Sequence, residues 1–126
     1  MGKSFLKAAG IYFVIGILMG LTMGIIHDFR LASVHAHINL LGWVSMALFG
    51  FFYHLYPEAA NTKLSRAHFW LHHIGLPVMM LGIAAQTFGM ESALGAAIAG
   101  SIAVVLGVIF FAVNLFRHVN IKEASA

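Results

Sequence analysis

The sequence predicts an all-α integral membrane protein, a bundle of four transmembrane helices that forms one domain over residues 1–126. Of the 126 residues, 61% are hydrophobic and only 9% are charged. The mean hydropathy is +0.93, well outside the balance of a soluble domain. Crossing the hydrocarbon core takes about 20 apolar residues per helix. Four such stretches are present, at about 6–27, 31–56, 67–89 and 92–117.

The first stretch follows two lysines, as the core of a signal peptide does, but we expect it to be a retained span. The apolar run from Ala8 to Ile26 is too long for a signal core, and no small-residue cleavage site follows it. The chain has no cysteine, so any metal must be held by His, Met or oxygen ligands. The eight histidines are therefore the main chemical resource.

The cations predict which way the helices run. Six of the seven Lys and Arg residues fall on one side of a four-span topology, and Arg30 falls on the other. The six are Lys3, Lys7, Lys63, Arg66, Arg117 and Lys122. Since cytoplasmic loops carry the excess of Lys and Arg, we expect both termini in the cytoplasm and the chain in the inner membrane of a bacterium. The pI near 9.6 reflects this bias and does not indicate nucleic-acid binding.

Small residues recur along the first and fourth stretches at the spacing that close helix packing in lipid requires. They are Gly16, Gly20 and Gly24 in the first, and Gly95, Ala99, Ala103 and Gly107 in the fourth. Packing within the chain and an interface between subunits are both open. Because four thin helices make a small unit, we expect a homo-oligomer.

The third stretch carries polar or small residues along one helix face, spaced alternately by four and three. They are His68, His72, Gly75, Met79, Gly82 and Gln86. Polar groups do not face lipid cheaply, so this face is expected to look into the protein or onto a cofactor. For Gln86, a hydrogen bond between helices is an open alternative.

Two histidines in the second stretch are the strongest chemical signal. His35 and His37 are two positions apart, so on a helix they point about 200° apart and cannot chelate one small ion together. They are expected to face different partners. Two hemes on opposite sides of the helix satisfy this geometry, and so does one heme with the second histidine hydrogen-bonded or metal-bound.

The segment around this pair resembles the large catalytic subunit of the heme-copper oxidases and nitric-oxide reductases. The tenth transmembrane helix of that family begins with His-x-His, follows a His-Asp pair six residues earlier and ends in an aromatic-Pro pair. The matching residues are His27, Asp28, His35, His37, Gly50, His54, Tyr56 and Pro57. Residues 67–77, AHFWLHHIGLP, resemble the start of the eleventh helix. The resemblance covers about residues 26–89.

By this resemblance His35 would be the proximal ligand of a high-spin heme, and His37 would be a ligand of a low-spin heme. His27 and Asp28 would lie near the heme propionates, at a polar site that holds a second metal in some members. The family's copper ligands and its second low-spin ligand come from helices that have no counterpart among the four stretches. A second axial ligand must therefore come from elsewhere in this chain, from a symmetry mate or from solvent.

The expected cofactor is heme b, bound by His35 and His37 with Asn39 and Gly42 in the pocket. Gly42 and Gly50 would leave space for the flat macrocycle, and Trp43 would form an apolar wall. A histidine that ligates iron needs an acceptor for its other ring N–H. Candidates for that role are Ser33, Asn39 and Ser45.

A second group of histidines is predicted near the inner boundary. His37 and His54 lie about 25 Å apart along a helix, so they cannot touch the same iron. The inner group contains His54, His68, His72 and His73, with His118 close by. A metal ion, copper or another divalent metal, or a second heme at this level is an open alternative.

Two functions follow from these features. The first is a small membrane hemoprotein for electron transfer or diatomic-gas binding, with quinol or a respiratory electron-transfer protein as a candidate partner. The second is a non-enzymatic heme or copper handling factor for a respiratory oxidase, favoured by the surplus histidines and the seven methionines. A structural remnant of an oxidase explains the packing stripes but not the retained ligands. Whether the chain catalyses a reaction depends on the number of axial ligands on the iron.

Overall fold

A computed structural model describes residues 1–119, in which four helices are long and apolar enough to cross a membrane. They are Gly2–Ile26, Ala32–Leu55, Lys63–Thr87 and Glu91–His118, called spans 1 to 4. Span 4 begins with a single 3-10 turn, Glu91–Ala93. The prediction of four helices long and apolar enough to cross a membrane is confirmed, with ends that differ by only a few residues. Lys122, counted among the inner cations, lies outside the described residues.

The connection between spans 2 and 3 is ordered by local hydrogen bonds. A four-residue helix, Pro57–Ala60, follows span 2 directly, and Pro57 occupies its first position, where a missing N–H costs nothing. Span 3 then begins with a capping box. The Thr62 hydroxyl accepts a hydrogen bond from the Ser65 N–H at 3.0 Å, and the Ser65 hydroxyl accepts one from the Thr62 N–H at 3.3 Å.

Spans 3 and 4 pack backbone against backbone because glycines face each other across the contact. A Cβ atom on Gly82 would collide with the backbone of Ala97, and one on Gly100 would collide with the backbone of Met79. The buried face of span 4 therefore carries Ala97 and Gly100.

Of the small-residue stripe predicted for span 4, the half nearer the C-terminus packs within the chain and the other half does not. Gly107 is buried and Ala103 lies against Gly75, but Gly95 and Ala99 are exposed. The spacing of four drifts around an α-helix, which has 3.6 residues per turn, so the real contact alternates threes and fours.

Span 1 packs on span 2 through its own glycines. Gly16 lies against Ile38 and Asn39, and Gly20 lies under the ring of His35. Of the two alternatives for this stripe, packing within the chain is the one found at Gly16 and Gly20. Gly24 has open space around it.

The two helix pairs meet through large side chains rather than through glycine. Phe5 of span 1 is fully buried, with its ring centre 5.7 Å from Phe49, 5.6 Å from Tyr53 and 5.2 Å from His68. The ring of Phe111 on span 4 packs on the same group. We call this group the aromatic layer, and it holds the buried histidines.

The charge-based orientation predicts a labelling pattern, because Ala32 and Asn61 are exposed at opposite ends of the bundle. Cysteine introduced at Ala32 should react with a membrane-impermeant maleimide added to intact cells, whereas cysteine at Asn61 should react only after permeabilisation. The native chain contains no cysteine and serves as the unlabelled control. The opposite pattern would invert the predicted topology.

Candidate functional site

His37 has the tautomer that a metal-ligating histidine requires. It is half-buried in the second turn of span 2, and its Nδ1 lies 2.7 Å from the backbone carbonyl oxygen of Ser33. Because a carbonyl only accepts, Nδ1 carries the proton and Nε2 keeps its lone pair. Nε2 has no hydrogen-bond partner among residues 1–119. Ser33, a candidate acceptor from the sequence, acts here through its carbonyl.

His35 faces span 1 instead. A Cβ atom on Gly20 would lie only 2.9 Å from Cε1 of the His35 ring, so this ring fills the space above the glycine. The Asn39 amide donates to the His35 carbonyl at 3.0 Å and lies 3.4 Å from both ring nitrogens. The two histidines thus have different surroundings, as their helical separation predicted.

The space expected beside Gly42 and Gly50 is filled by span 1, which corrects the predicted pocket. A Cβ atom on Gly42 would lie 2.7 Å from Cγ of Tyr12, and one on Gly50 would lie 2.7 Å from Cγ of Leu6. These glycines let two helices approach and leave no slot for a macrocycle in this packing.

A π-helical segment, Ile38–Val44, follows the histidine pair directly. Two side chains satisfy carbonyls in this segment: the Ser45 hydroxyl donates to the Leu40 oxygen at 2.6 Å, and His72 Nε2 donates to the Leu41 oxygen at 2.9 Å. The hydroxyl of Ser45, another candidate acceptor for a ligand N–H, donates its proton to the backbone and keeps its acceptor lone pairs. Short π-segments inside α-helices frequently occur at functional sites.

His68 and His72 of span 3 are completely buried in or beside the aromatic layer. Nδ1 of His68 lies 2.7 Å from the hydroxyl of Tyr53, and Nε2 of His72 bonds the Leu41 carbonyl. The second nitrogen of each ring, Nε2 of His68 and Nδ1 of His72, is buried with no hydrogen-bond partner in residues 1–119. The face predicted to look inward does so, since Gly75, Met79 and Gly82 are buried too.

The histidines of the predicted inner group do not all lie together. His54 is exposed and is not buried with the others, and the ring of Phe5 lies between His68 and His73. His73 places Nδ1 2.8 Å from the Phe69 carbonyl, and its ring packs on Phe5, which also packs on His68. His118, at the end of span 4, lies 3.3 Å from the Asn114 carbonyl.

Sequence reasoning missed Asn114, a buried polar residue of span 4. Its amide nitrogen donates to the Ala59 carbonyl at 2.9 Å and ties the connecting helix to the bundle. An isolated Asn in an apolar span was the available signal, because polar groups inside a membrane are placed facing protein.

In the connection between spans 1 and 2, Asp28 is engaged by Arg30 rather than by His27, which is exposed in a left-handed conformation. The guanidinium holds both carboxylate oxygens at 2.6 to 3.1 Å. Hydrogen bonds from the Arg30 side chain and backbone lower the pKa of Asp28 to about 2, so this carboxylate stays ionised at physiological pH. An apolar cavity of about 410 Å³ lies next to Asp28, but no histidine lines it.

Within residues 1–119, no three His, Asp or Glu side chains converge as a multidentate metal site requires. No protein-family model, curated protein or solved structure matches this chain. The function is therefore argued from the histidines themselves.

The hydrogen bond between Tyr53 and His68 predicts a stability effect. Tyr53→Phe leaves a buried imidazole nitrogen unpaired and should lower the free energy of unfolding by about 1 to 3 kcal/mol. Tyr56→Phe is the matched control, because Tyr56 lies at the partly exposed end of span 2. Reversible unfolding in mixed detergent micelles measures both. Equal stability of the two variants would show that the Tyr53 bond contributes nothing.

Proposed function

We propose that this chain is a membrane hemoprotein in which His37 ligates the iron of a b-type heme, for electron transfer or for binding a diatomic gas. One observation carries the proposal: the Ser33 carbonyl holds the Nδ1 proton of His37 and leaves Nε2 free. The resemblance of His27-Asp28 and the His-x-His unit to the heme-copper oxidase family adds the expectation that the metal is heme iron.

The residues around His37 suit a flat apolar group. The exposed side chains of span 2 after His37 form an apolar face that includes Leu40 and Val44, which are 63% and 39% exposed. The macrocycle would lie along this face, while the Ser33 carbonyl fixes the orientation of the imidazole. A bound heme would supply one-electron redox chemistry or an open coordination position on iron.

His35 has a supporting place in this proposal. Its ring is packed on Gly20 and lies within reach of the Asn39 amide, so it corresponds to the alternative of one heme with a hydrogen-bonded second histidine. The face of a heme on His37 that points away from the bundle must be shielded by another surface. A second copy of the chain would provide it, so a homo-oligomer is part of the proposal.

Optical spectra separate the two modes of action. The purified protein is measured oxidised, reduced with dithionite, and reduced under carbon monoxide. Sharp reduced bands that carbon monoxide leaves unchanged indicate two axial ligands and electron transfer, whereas a carbon-monoxide shift indicates an open position and gas binding. A spectrum without heme bands would contradict both.

A further inference from the structure

We infer that His68 and His72 form a binding site for a soft monovalent metal ion of the Cu(I) and Ag(I) class inside the bundle. The inference does not depend on the heme proposed at His37, because it uses other residues, on another span. It narrows the predicted inner group to two ligands.

The hydrogen bonds around the two rings decide which nitrogens are free. Nε2 of His72 faces the Leu41 carbonyl, which only accepts, so Nε2 carries the proton and Nδ1 presents a lone pair. Nδ1 of His68 faces the Tyr53 hydroxyl, which accepts as well as donates. When Nδ1–H donates to Tyr53, Nε2 of His68 presents a second lone pair. Both free nitrogens are buried.

The spacing of the ring centres allows both imidazoles to bind one ion. His68 and His72 lie one helical turn apart, with ring centres 5.7 Å apart and planes at 82°. A metal–imidazole bond is about 2 Å long and each nitrogen lies about 1 Å from its ring centre, so two imidazoles on one ion have centres at most about 6 Å apart. The observed separation lies inside this limit. Neither free nitrogen is hydrogen-bonded to the other.

The buried residues near the two histidines indicate the charge and coordination number of the ion. The buried polar residues of the described chain are Ser65, His68, His72 and Asn114, with no carboxylate among them. A divalent ion there would lack both a balancing charge and the four ligands that zinc requires. Two neutral imidazoles suit a monovalent ion of low coordination number. Buried Met46 and Met79 belong to the same hydrophobic core as Phe49 and Tyr53.

Silver is the probe, because Ag(I) is redox-inert and resembles Cu(I) in its ligand preference. The purified full chain in detergent is titrated with Ag(I) by isothermal calorimetry, and the stoichiometry is read by native mass spectrometry. We expect one tightly bound ion per chain. His68→Gln and His72→Gln keep a hydrogen-bonding side chain but remove the imidazole, and each should weaken this binding at least about tenfold.

His54→Gln is the matched control, since His54 lies at the same inner end but is exposed, and it should bind Ag(I) like the wild type. His37→Ala should also keep the ion, which separates this inference from the heme proposal. One further measurement uses only the wild-type protein, so it does not depend on whether the variants fold. X-ray absorption of the silver-loaded protein should show two nitrogen neighbours at about 2 Å.

Three results would overturn the inference. One is unchanged affinity in both His→Gln variants. Another is a silver environment made only of sulfur, which would place the ion on exposed methionines such as Met90. The third is absence of tight binding to the folded wild type, which would leave the two nitrogens to internal water.

Discussion

Replacing His37 by alanine should remove most of the heme from the purified protein. The variant loses the one imidazole of span 2 whose Nδ1 is held by a carbonyl and whose Nε2 is free. Removing even a residue that only supports a metal ligand commonly costs 10- to 100-fold in affinity, so loss of the ligand should lower heme content by about tenfold or more. Heme per chain is measured as the pyridine complex after identical expression and purification.

His54→Ala and His118→Ala are the controls, because both are histidines away from the proposed site, and they should retain wild-type heme. His35→Ala distinguishes the two roles of the histidine pair. If His35 supports rather than ligates, that variant should lose less heme than His37→Ala. Full heme in both variants would move the site to the histidines of span 3.

Replacing Gly100 by leucine should separate spans 3 and 4. A Cβ atom at this position would collide with the Met79 backbone and would lie 2.7 Å from the Gly75 carbonyl oxygen. Backbone atoms cannot rotate away as a side chain does, so the helices must move apart and lose their contact. Overpacking of a tight core costs about 1 to 3 kcal/mol and occasionally more. We expect that loss in the free energy of unfolding, measured in mixed micelles.

Gly95→Leu provides the comparison, since a Cβ on Gly95 meets nothing within 4 Å. Both substitutions add the same side chain to the same helix, so the difference between them reports the contact alone. A Gly100→Leu protein as stable as Gly95→Leu would mean that spans 3 and 4 do not pack as described.

Hydropathy alone predicts the four spans, because a run of about 20 apolar residues has few other uses. Because the spans are almost uniformly apolar, hydropathy does not show which faces of the helices contact each other. In span 4 almost every residue is apolar, so Asn114 is the main residue in the pattern that marks the face with Gly100. Span 3 is the exception, since its polar residues mark its inward face, and there the prediction of a buried stripe is confirmed at His68 and His72.

The site is predictable in its residues more than in its geometry. The spacing of His35 and His37 indicates opposite directions, and the structure places them in different surroundings. Which of the two packs on Gly20 depends on how span 1 packs against span 2, and this is a tertiary effect. The bond from His72 to the Leu41 carbonyl joins residues 31 positions apart, and no local pattern encodes such a pairing.

The most direct measurement for the central claim is the heme content of the wild-type protein, purified from heme-replete cells in mild detergent. The number of hemes per chain comes from the pyridine complex and from the mass of the native assembly. A b-type heme bound in a fixed ratio to the chain, lost in His37→Ala and kept in His54→Ala, is the predicted result. A folded oligomer or monomer that carries no heme, and takes none up when hemin is added, would contradict it.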